Sequence, residues 1–379
     1  MQVLTGGRIL MGGELCEGLD LVISDGRIAD IRTAGSVDGP MFDLDGDMLL
    51  PGFVDVQVNG GGGALFNADP SVDCIRRIGE AHRQFGTTGF MPTLISDDLG
   101  VVDAGMRSVE EAIEAGVPGV LGIHIEGPFL NPARKGIHDE SKFRRLDAAA
   151  VELLTSLKHG VTMVTIAPEL AEMAEVRALA DAGVKVCLGH TDAPEAVALA
   201  ALEAGASGFT HLYNAMSQLT GRASGVVGTA LASEGTFAGL IVDKFHVGKT
   251  SCIAAIRAKG ADEIMLVSDA MPAVGEGDGT FELMGVTIQV EDGKATGPDG
   301  TLAGSALDMA GAVRNARDWL GCSLADSVMM ASATPAAFLG LSGQTGDIKS
   351  GLAADLVQVD DQLNVKSSWI DGNIIRHTA

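Results

Sequence analysis

Four polar residues, each placed at the end of a short apolar run, have the clearest chemical meaning. Glu126 follows VLGIHI, His190 follows VKVCLG, His211 follows SGFT, and Asp269 closes IMLVS. One carboxylate and two imidazoles suit zinc or a similar first-row divalent ion, and three protein ligands leave a position for water. We therefore predict that Glu126, His190 and His211 bind one metal ion and that Asp269 is the base that accepts a proton from water.

Each of these residues has an ordinary structural alternative. A polar side chain at a strand end is commonly just a hydrogen-bonded neighbour, and Asp269 could cap a following turn, since aspartate is a preferred N-cap residue. Pro272 follows Asp269 too closely for a long helix to begin cleanly, which weakens that alternative. Joint placement after the third, fifth, sixth and eighth runs favours a shared site.

The middle of the chain alternates eight short apolar or β-branched runs with stretches that are mostly alanine-rich and of helical spacing. The runs span 53–58, 87–93, 120–125, 161–166, 184–189, 207–210, 237–242 and 264–268. This alternation predicts a (β/α)₈ barrel of the TIM type, in which the carboxyl ends of all strands meet at one face. An open, doubly wound parallel sheet is the alternative.

Both ends of the chain show a different pattern. Short strand-like runs are joined by hairpin signals at Asp25-Gly26 and at Asp371-Gly372. We predict a small β-sandwich-like domain built from residues 1–50 and 345–379, and a metallohydrolase barrel over 51–344. Segment 281–304 contains two hairpin-like turns and is predicted to be a β insertion beside the site that could act as a lid.

Composition narrows the partners and the compartment. The formal net charge of −24 argues against nucleic acid and anionic membranes, because both require basic patches. The five cysteines are scattered and never spaced as CxxC, as in reduced cytosolic proteins. No signal peptide and no apolar run of membrane-spanning length is visible. The expected location is cytoplasmic.

Three further features carry weaker signals. Cys187 lies three residues before His190, a spacing that places the two on opposite faces of a strand, so we expect Cys187 in the core. His124 shares a face with Glu126 and is predicted to be a packing residue or a neighbour of the metal ligands. The run of glycines at 60–63 lacks the GK[ST] ending of a phosphate loop and is predicted to be a flexible loop at the barrel mouth.

With these motifs assembled, the chain resembles the N-acetylglucosamine-6-phosphate deacetylases of the amidohydrolase superfamily. The resemblance covers nearly the whole length and rests on PGFVDVQVNG, HIEGPFLNPARKGIHDE, LGHTDA, THLYNAMSQLTGRASGVVG, LVSDAMPAVG and LAGSALDM. It implies a barrel with a small β domain, and hydrolysis of the 2-acetamido group of the sugar phosphate to give glucosamine 6-phosphate and acetate in amino-sugar metabolism.

The resemblance also implies roles for individual residues. It supports Glu126, His190 and His211 as ligands and Asp269 as proton acceptor, and it suggests that His138 polarises the acetamide carbonyl and contacts substrate. It implies a homodimer in which Arg222 reaches the neighbouring active site. The other substrate-binding residues that it implies are Asn214, Ala215, His246, Leu302, Ala303 and Gly304.

Two features depart from related sequences. Many amidohydrolases begin with HxH on the first strand, which holds a second metal, whereas this chain has Gln57 and Asn59. Amides are poor zinc ligands, so we expect one ion per subunit, zinc first, with iron or another first-row metal as alternatives. Lys244 stands where relatives often have a small residue.

Two rival functions stay open on the sequence alone. A cyclic-amide hydrolase or deaminase of the same superfamily usually needs HxH and often a modified lysine after the fourth strand, where this chain reads TIAPE. A non-catalytic sugar-phosphate-binding protein would not need Asp269 or the three ligands.

Overall fold

The computed structural model describes residues 1–377, and its first 51 residues form seven short strands. Asp25 and Gly26, which join the fourth strand to the fifth, both have left-handed backbone, with φ of 51° and 77°. This is the twist that a two-residue hairpin turn requires, so the predicted hairpin is confirmed. The strands are β1 (Gln2–Thr5), β2 (Arg8–Met11), β3 (Glu14–Cys16), β4 (Leu19–Ser24), β5 (Arg27–Thr33), β6 (Met41–Asp43) and β7 (Met48–Pro51).

The middle of the chain forms eight parallel strands, each hydrogen-bonded to the next in chain order. A small hairpin, β9 (Gly60–Gly61) and β10 (Ala64–Leu65), follows the first of them. The eight strands are β8 (Phe53–Val58), β11 (Thr87–Ile95), β12 (Gly122–Glu126), β13 (Val161–Ile166), β14 (Lys185–Leu188), β15 (Gly208–Phe209), β16 (Phe237–Leu240) and β17 (Ile264–Leu266).

The first and last of these strands close the sheet on itself. Beyond β17, Ala270 forms a parallel bridge with Val58, and the backbone N–H of Asn59 donates to the Ala270 carbonyl at 2.9 Å. Below this contact, Asp55 Oδ1 accepts from the backbone N–H of Gln57 (3.2 Å) and of Ser268 (3.3 Å). The sheet is therefore a (β/α)₈ barrel, and the open-sheet alternative is wrong.

Helices follow each barrel strand and cover the outside of the sheet. In the first of them Cys74, Ile75, Ile78 and Ala81 are buried at helical spacing, and the Ser71 hydroxyl caps its N-terminus. Within residues 1–377 no helix has the length and apolar character to cross a membrane. The helices are α1 (Val72–Arg83), α2 (Leu99–Glu114), α3 (Ala148–Leu154), α4 (Met173–Asp181), α5 (Glu195–Glu203), α6 (Gly225–Ala232), α7 (Lys249–Lys259), α8 (Met309–Arg314), α9 (Leu324–Ala331) and α10 (Ala333–Leu339).

A three-stranded antiparallel sheet interrupts the alternation after β17. It consists of β18 (Gly279–Leu283), β19 (Val286–Glu291) and β20 (Lys294–Thr296). Its buried face packs in an apolar cluster with residues from the barrel mouth, including Ile95 and Met271, and against Ile137. Because Ile137 directly precedes His138, this small sheet supports the segment that carries a predicted site residue.

The chain ends in strands β21 (Leu356–Val359), β22 (Val365–Ile370) and β23 (Asn373–Arg376). They join β7, β2 and β3 in a six-stranded sheet, and β5, β4, β1 and β6 form a second, four-stranded sheet. Leu4 and Leu21 from one sheet and Ile9, Leu356 and Trp369 from the other share one buried cluster, as in a sandwich. The small β domain is confirmed; its limits at 1–50 and 345–379, and that of the insertion at 281–304, stay predictions.

Candidate active site

The carboxyl ends of the barrel strands surround an open cavity of about 220 Å³. Ten of the twelve predicted site residues line it. They are Glu126, His138, His190, His211, Asn214, Ala215, His246, Asp269, Leu302 and Gly304. Residues far apart in the chain meet here because parallel strands end at one face.

Glu126 and two histidines form a tight cluster at the base of this cavity. Glu126 Oε1 lies 3.2 Å from His190 Nε2 and 2.8 Å from His211 Nε2, and the two imidazole nitrogens are 3.0 Å apart. Ligands about 2.1 Å from a tetrahedral zinc ion lie about 3.4 Å from one another, so the cluster is close to that geometry. All three side chains are buried.

The hydrogen bonds around His190 also fit a metal ligand. Its Nδ1 lies 2.8 Å from the Arg134 carbonyl, which can only accept, so Nδ1 carries the proton and Nε2 keeps a free lone pair. His211 Nδ1 is buried without a hydrogen-bond partner within residues 1–377. A wider group of potential ligand atoms, within 4.8 Å of one another, joins His138 to Glu126 and His190. We favour His211 over His138 because His211 Nε2 lies 2.8 Å from Glu126 Oε1 and 3.0 Å from His190 Nε2.

Left-handed backbone recurs at the site. His190, His211 and Asp269 have φ of 48°, 31° and 51°, and Ala215 has φ of 48°. Such a conformation costs about 1–3 kcal/mol for a residue with a side chain and persists only where the surroundings enforce it. At these strand ends it turns the side chains from the barrel wall towards the cavity.

Charge is concentrated on Glu126 and His211. Burial alone would raise the pKa of Glu126, but the adjacent imidazoles of His190 and His211 hold it well below its ordinary range. Burial likewise opposes the charged form of His211, yet the contact with Glu126 raises its pKa. The low pKa of Glu126 and the raised pKa of His211 both indicate that this position favours a positive charge.

Two amide side chains hold Asp269 against this cluster. Gln57 Nε2 donates to Asp269 Oδ1 and to Glu126 Oε2, both at 3.1 Å, and Asn59 Nδ2 donates to Asp269 Oδ1 at 2.7 Å. Burial and the nearby Glu126 raise the pKa of Asp269 to about 6, against the lowering effect of His211, His246 and Asn59. Because both amides donate to Oδ1, Oδ2 is the oxygen left for a reacting proton.

His138 approaches the cluster from the loop after β12. Its Nδ1 accepts from the Ser96 backbone N–H at 3.3 Å and contacts the Ser96 hydroxyl at 2.8 Å, which leaves the proton on Nε2. Burial and the neighbouring His190 lower the pKa of His138 to about 3, so the ring is neutral near pH 7. Its ring centroid is 4.4 Å from that of His190. A neutral imidazole with an Nε2–H group can donate a hydrogen bond to a carbonyl oxygen.

His246 lies at another part of the cavity wall. Its Nδ1 is 2.6 Å from Asp243 Oδ2, and Asp243 Oδ1 accepts from the backbone N–H groups of Phe245 and His246, both at 2.8 Å. Lys244, between them, has a left-handed φ of 76° and an exposed side chain. Burial opposes ionisation of Asp243, but the hydrogen bond from His246 keeps the pKa of Asp243 below its ordinary value.

Two predicted residues do not line the cavity. Arg222 is exposed on the loop before α6, and the Ala303 side chain is buried in the apolar cluster of the small inserted sheet, away from the cavity surface. Within the described chain no lysine or arginine lines the cavity. Among the described residues, histidine is therefore the only basic side-chain type that a bound phosphate dianion would meet in the cavity of this subunit.

The structure also shows supporting residues that the sequence argument did not single out. Ser96 fixes the tautomer of His138, and Asp243 orients His246. The i, i+3 spacing in IVDKFHV could have indicated the second pair, whereas Ser96 has no local sequence signal. His124 and Cys187 behave as predicted: His124 bonds to Thr165 Oγ1 at 2.8 Å, Cys187 lies in the core, and neither lines the cavity.

Comparison with known proteins places the chain in a family. The model of the amidohydrolase family matches residues 48–375. N-acetylgalactosamine-6-phosphate deacetylase from Shewanella sp. (strain ANA-3) is 42% identical over 379 residues, which cover 99% of this chain and 96% of the relative. N-acetylglucosamine-6-phosphate deacetylase from Bacillus subtilis (strain 168) is 35% identical over 93% of this chain and 91% of the relative.

Solved structures agree with this placement. N-acetylglucosamine-6-phosphate deacetylase from Pasteurella multocida superposes with a TM-score of 0.96 at 32% identity, over 99% of this chain and 100% of that chain. A mutant of the Mycobacterium smegmatis enzyme, in complex with N-acetyl-D-glucosamine 6-phosphate, gives 0.92 at 31% identity over 98% of both chains. On this combined evidence from sequence, fold and site geometry, the chain belongs to the amidohydrolase family.

Proposed function

We propose that this chain hydrolyses the acetamido group of N-acetyl-D-glucosamine 6-phosphate to D-glucosamine 6-phosphate and acetate in amino-sugar metabolism. The observation that carries the proposal is the cluster of Glu126, His190 and His211 beside Asp269, whose Oδ2 accepts no hydrogen bond from residues 1–377. The two similar solved structures named above are deacetylases of this substrate, which supports the same activity here.

Glu126, His190 and His211 would hold one divalent metal ion, with zinc as the first candidate. When bound, the ion would supply Lewis-acid polarisation at the reacting centre. Gln57 and Asn59 fill the position of a second ligand pair with amide N–H groups that already donate to Glu126 and Asp269. These contacts support a count of one ion per subunit.

The remaining steps belong to side chains of this chain. His138 donates its Nε2–H to the acetamide oxygen and stabilises the negative charge that develops there. Asp269 Oδ2 takes a proton from the water that attacks the carbonyl carbon. The same carboxyl group then delivers this proton to the amide nitrogen as the C–N bond breaks, so that acetate and a free amine leave.

The phosphate would bind where His246, Asn214 and Ala215 meet, with Leu302 and Gly304 beside the sugar. Ala303 supports this stretch through the apolar cluster rather than by direct contact. Because no lysine or arginine of the described chain lines the cavity, we assign the missing cation to Arg222 of a neighbouring subunit in a homodimer. A cytoplasmic location suits this substrate and the free cysteines.

The 42% identical Shewanella relative is named for N-acetylgalactosamine 6-phosphate, the C4 epimer of the proposed substrate. That similarity makes the galactose epimer a second candidate. Steady-state kinetics on both sugars distinguish them, since the preferred epimer has the larger kcat/KM.

Acetate release from each sugar phosphate, before and after chelation, tests the proposed function. We expect release that stops when the metal is removed and returns when zinc is added, with one ion per chain by metal analysis. Release that chelation leaves unchanged, or no release from either epimer, would refute the proposal.

Coexpression of two inactive variants tests the role of Arg222. Arg222→Ala and Asp269→Asn should each be inactive alone, but a mixed dimer contains one site with both residues intact if Arg222 acts across the interface. Random pairing then restores about a quarter of the wild-type activity. Activity that stays at background would place Arg222 in its own subunit's site, and activity of Arg222→Ala alone would remove it from binding. Arg257→Ala, on the exposed part of α7, is the control.

Removal of one amide group that donates to Asp269 should shift the pH profile of kcat/KM. Asp269 must be ionised to act, so kcat/KM falls as pH drops through its pKa, which lies near 6. The hydrogen bond from Asn59 lowers that pKa, so Asn59→Leu should move the acid limb to higher pH by about one unit. A profile identical to that of wild type would show that Asp269 does not set the limb.

A further inference from the structure

Glu169 lies outside the cavity but makes a dense set of contacts beside a predicted ligand. It follows β13 in a single 3₁₀ turn, Pro168–Leu170, and its side chain is half-buried. Its Oε1 accepts from Asn131 Nδ2 and from the Asp192 backbone N–H, both at 2.7 Å. Its Oε2 accepts from the Thr191 hydroxyl. One carboxylate thus joins the loop after β12 to the loop after β14.

These contacts restrain the backbone at His190, both through Asn131 and through the two residues that follow His190. The Asn131 N–H donates to the His190 carbonyl at 3.0 Å, and the side chain of the same Asn131 is held by Glu169. The two residues after His190 are the other partners of Glu169. Because His190 is left-handed, with φ of 48°, the peptide around it needs such restraints to keep its shape.

The same region of the structure also fixes the orientation of the His190 ring. The ring is held through Nδ1 by the Arg134 carbonyl, and Arg134 also pairs through its guanidinium with Asp192 Oδ1, at 2.7 and 3.0 Å. That ion pair is partly exposed and contributes little by itself. The Glu169 carboxylate accepts charge-assisted hydrogen bonds from three donors. These bonds are stronger than the exposed ion pair, and they fix the geometry of the groups that donate them.

We propose that Glu169 is a positioning residue that holds the turn at His190 and so keeps His190 Nε2 on the Glu126–His211 pair. The proposal rests on the metal site of the proposed function. Glu169 does not contact the cavity, so its effect passes through His190. Partners that orient a ligand in this way commonly contribute 10–100-fold to metal affinity.

Zinc affinity of the metal-free protein, measured by competition with a chromophoric chelator, tests this role without substrate. Glu169→Gln keeps the size of the side chain but loses one acceptor oxygen, and we expect zinc binding to weaken about 10–100-fold. The cobalt-substituted variant should also show a changed visible spectrum. Glu152→Gln, on the exposed side of α3 and without a hydrogen bond to its carboxylate in residues 1–377, should match wild type.

A second variant keeps the test decisive if Glu169→Gln does not fold. Thr191→Val removes one of the three donors to Glu169, together with the acceptor of the Ala193 N–H, with almost no change of volume. It should weaken zinc binding by a smaller factor. Wild-type affinity and an unchanged cobalt spectrum in the folded variants would overturn the proposal, even if their melting temperature falls. Wild-type protein that binds no zinc would contradict the proposed function instead.

Discussion

Replacement of Asp269 by Asn should reduce kcat by about three orders of magnitude, the middle of the range for loss of a general base. Asparagine has nearly the same shape, and its amide oxygen can accept the hydrogen bonds that Gln57 and Asn59 now donate to Oδ1. Its NH₂ group, which replaces Oδ2, cannot accept a proton from water. Single-turnover acetate release on the zinc-loaded variant measures the chemical step directly.

The folded state of this variant should be intact. Burial and Glu126 raise the pKa of Asp269 to about 6, so the ionised side chain destabilises the metal-free fold at pH 7, above both its folded and its ordinary pKa. A neutral side chain removes that cost, and we expect a melting temperature no lower than that of wild-type apoprotein. Zinc content should stay near one ion per chain. Turnover close to wild type would remove Asp269 from the mechanism.

The barrel could be predicted because its signal repeats. Eight apolar runs with helical stretches between them admit few other arrangements, and each run overlaps one barrel strand of the structure. The observed strands at 208–209 and 264–266 are shorter than their runs. There the chain bends early, because His211 and Asp269 adopt left-handed backbone to reach the cavity. Apolar periodicity does not report such bends.

The convergence of Glu126, His190, His211 and Asp269 could also be inferred, since parallel strands share one carboxyl face. The hydrogen bonds that tune these residues could not. The tautomer of His190 depends on the Arg134 carbonyl, and that of His138 on Ser96, and both contacts form only when the loop after β12 folds back over the barrel. Such long loops carry no periodic pattern.

Arg222 illustrates a different limit. The chain has net charge −24, and the cavity of one subunit offers no lysine or arginine within the described residues, so an anionic substrate needs a cation from elsewhere. The sequence of one subunit does not indicate which surfaces of two subunits meet. The charge of the chain therefore indicates that a cation is required, and mixed dimers are needed to show which subunit provides it.

The largest effect on metal binding should come from Glu126→Gln. Glu126 uses both oxygens: Oε1 contacts the Nε2 atoms of His190 and His211, and Oε2 accepts from Gln57 Nε2. Glutamine has one acceptor oxygen, so its NH₂ group must face either the imidazole nitrogens or the amide donor of Gln57. It also removes the negative charge that favours a cation in this buried position.

We therefore expect the zinc affinity of Glu126→Gln to fall by about a thousandfold or more, beyond the 10–100-fold effect expected of a residue that acts through a ligand. Acetate release should fall with zinc occupancy and recover only partly in excess zinc, because the ligand geometry stays altered. Equilibrium competition for zinc gives the affinity, and Glu140→Gln, an exposed change in the loop after β12, is the matched control. If Glu126→Gln binds zinc as tightly as this control, the ion is held by other residues, and His138, which lies within reach of the same group, becomes the first to test.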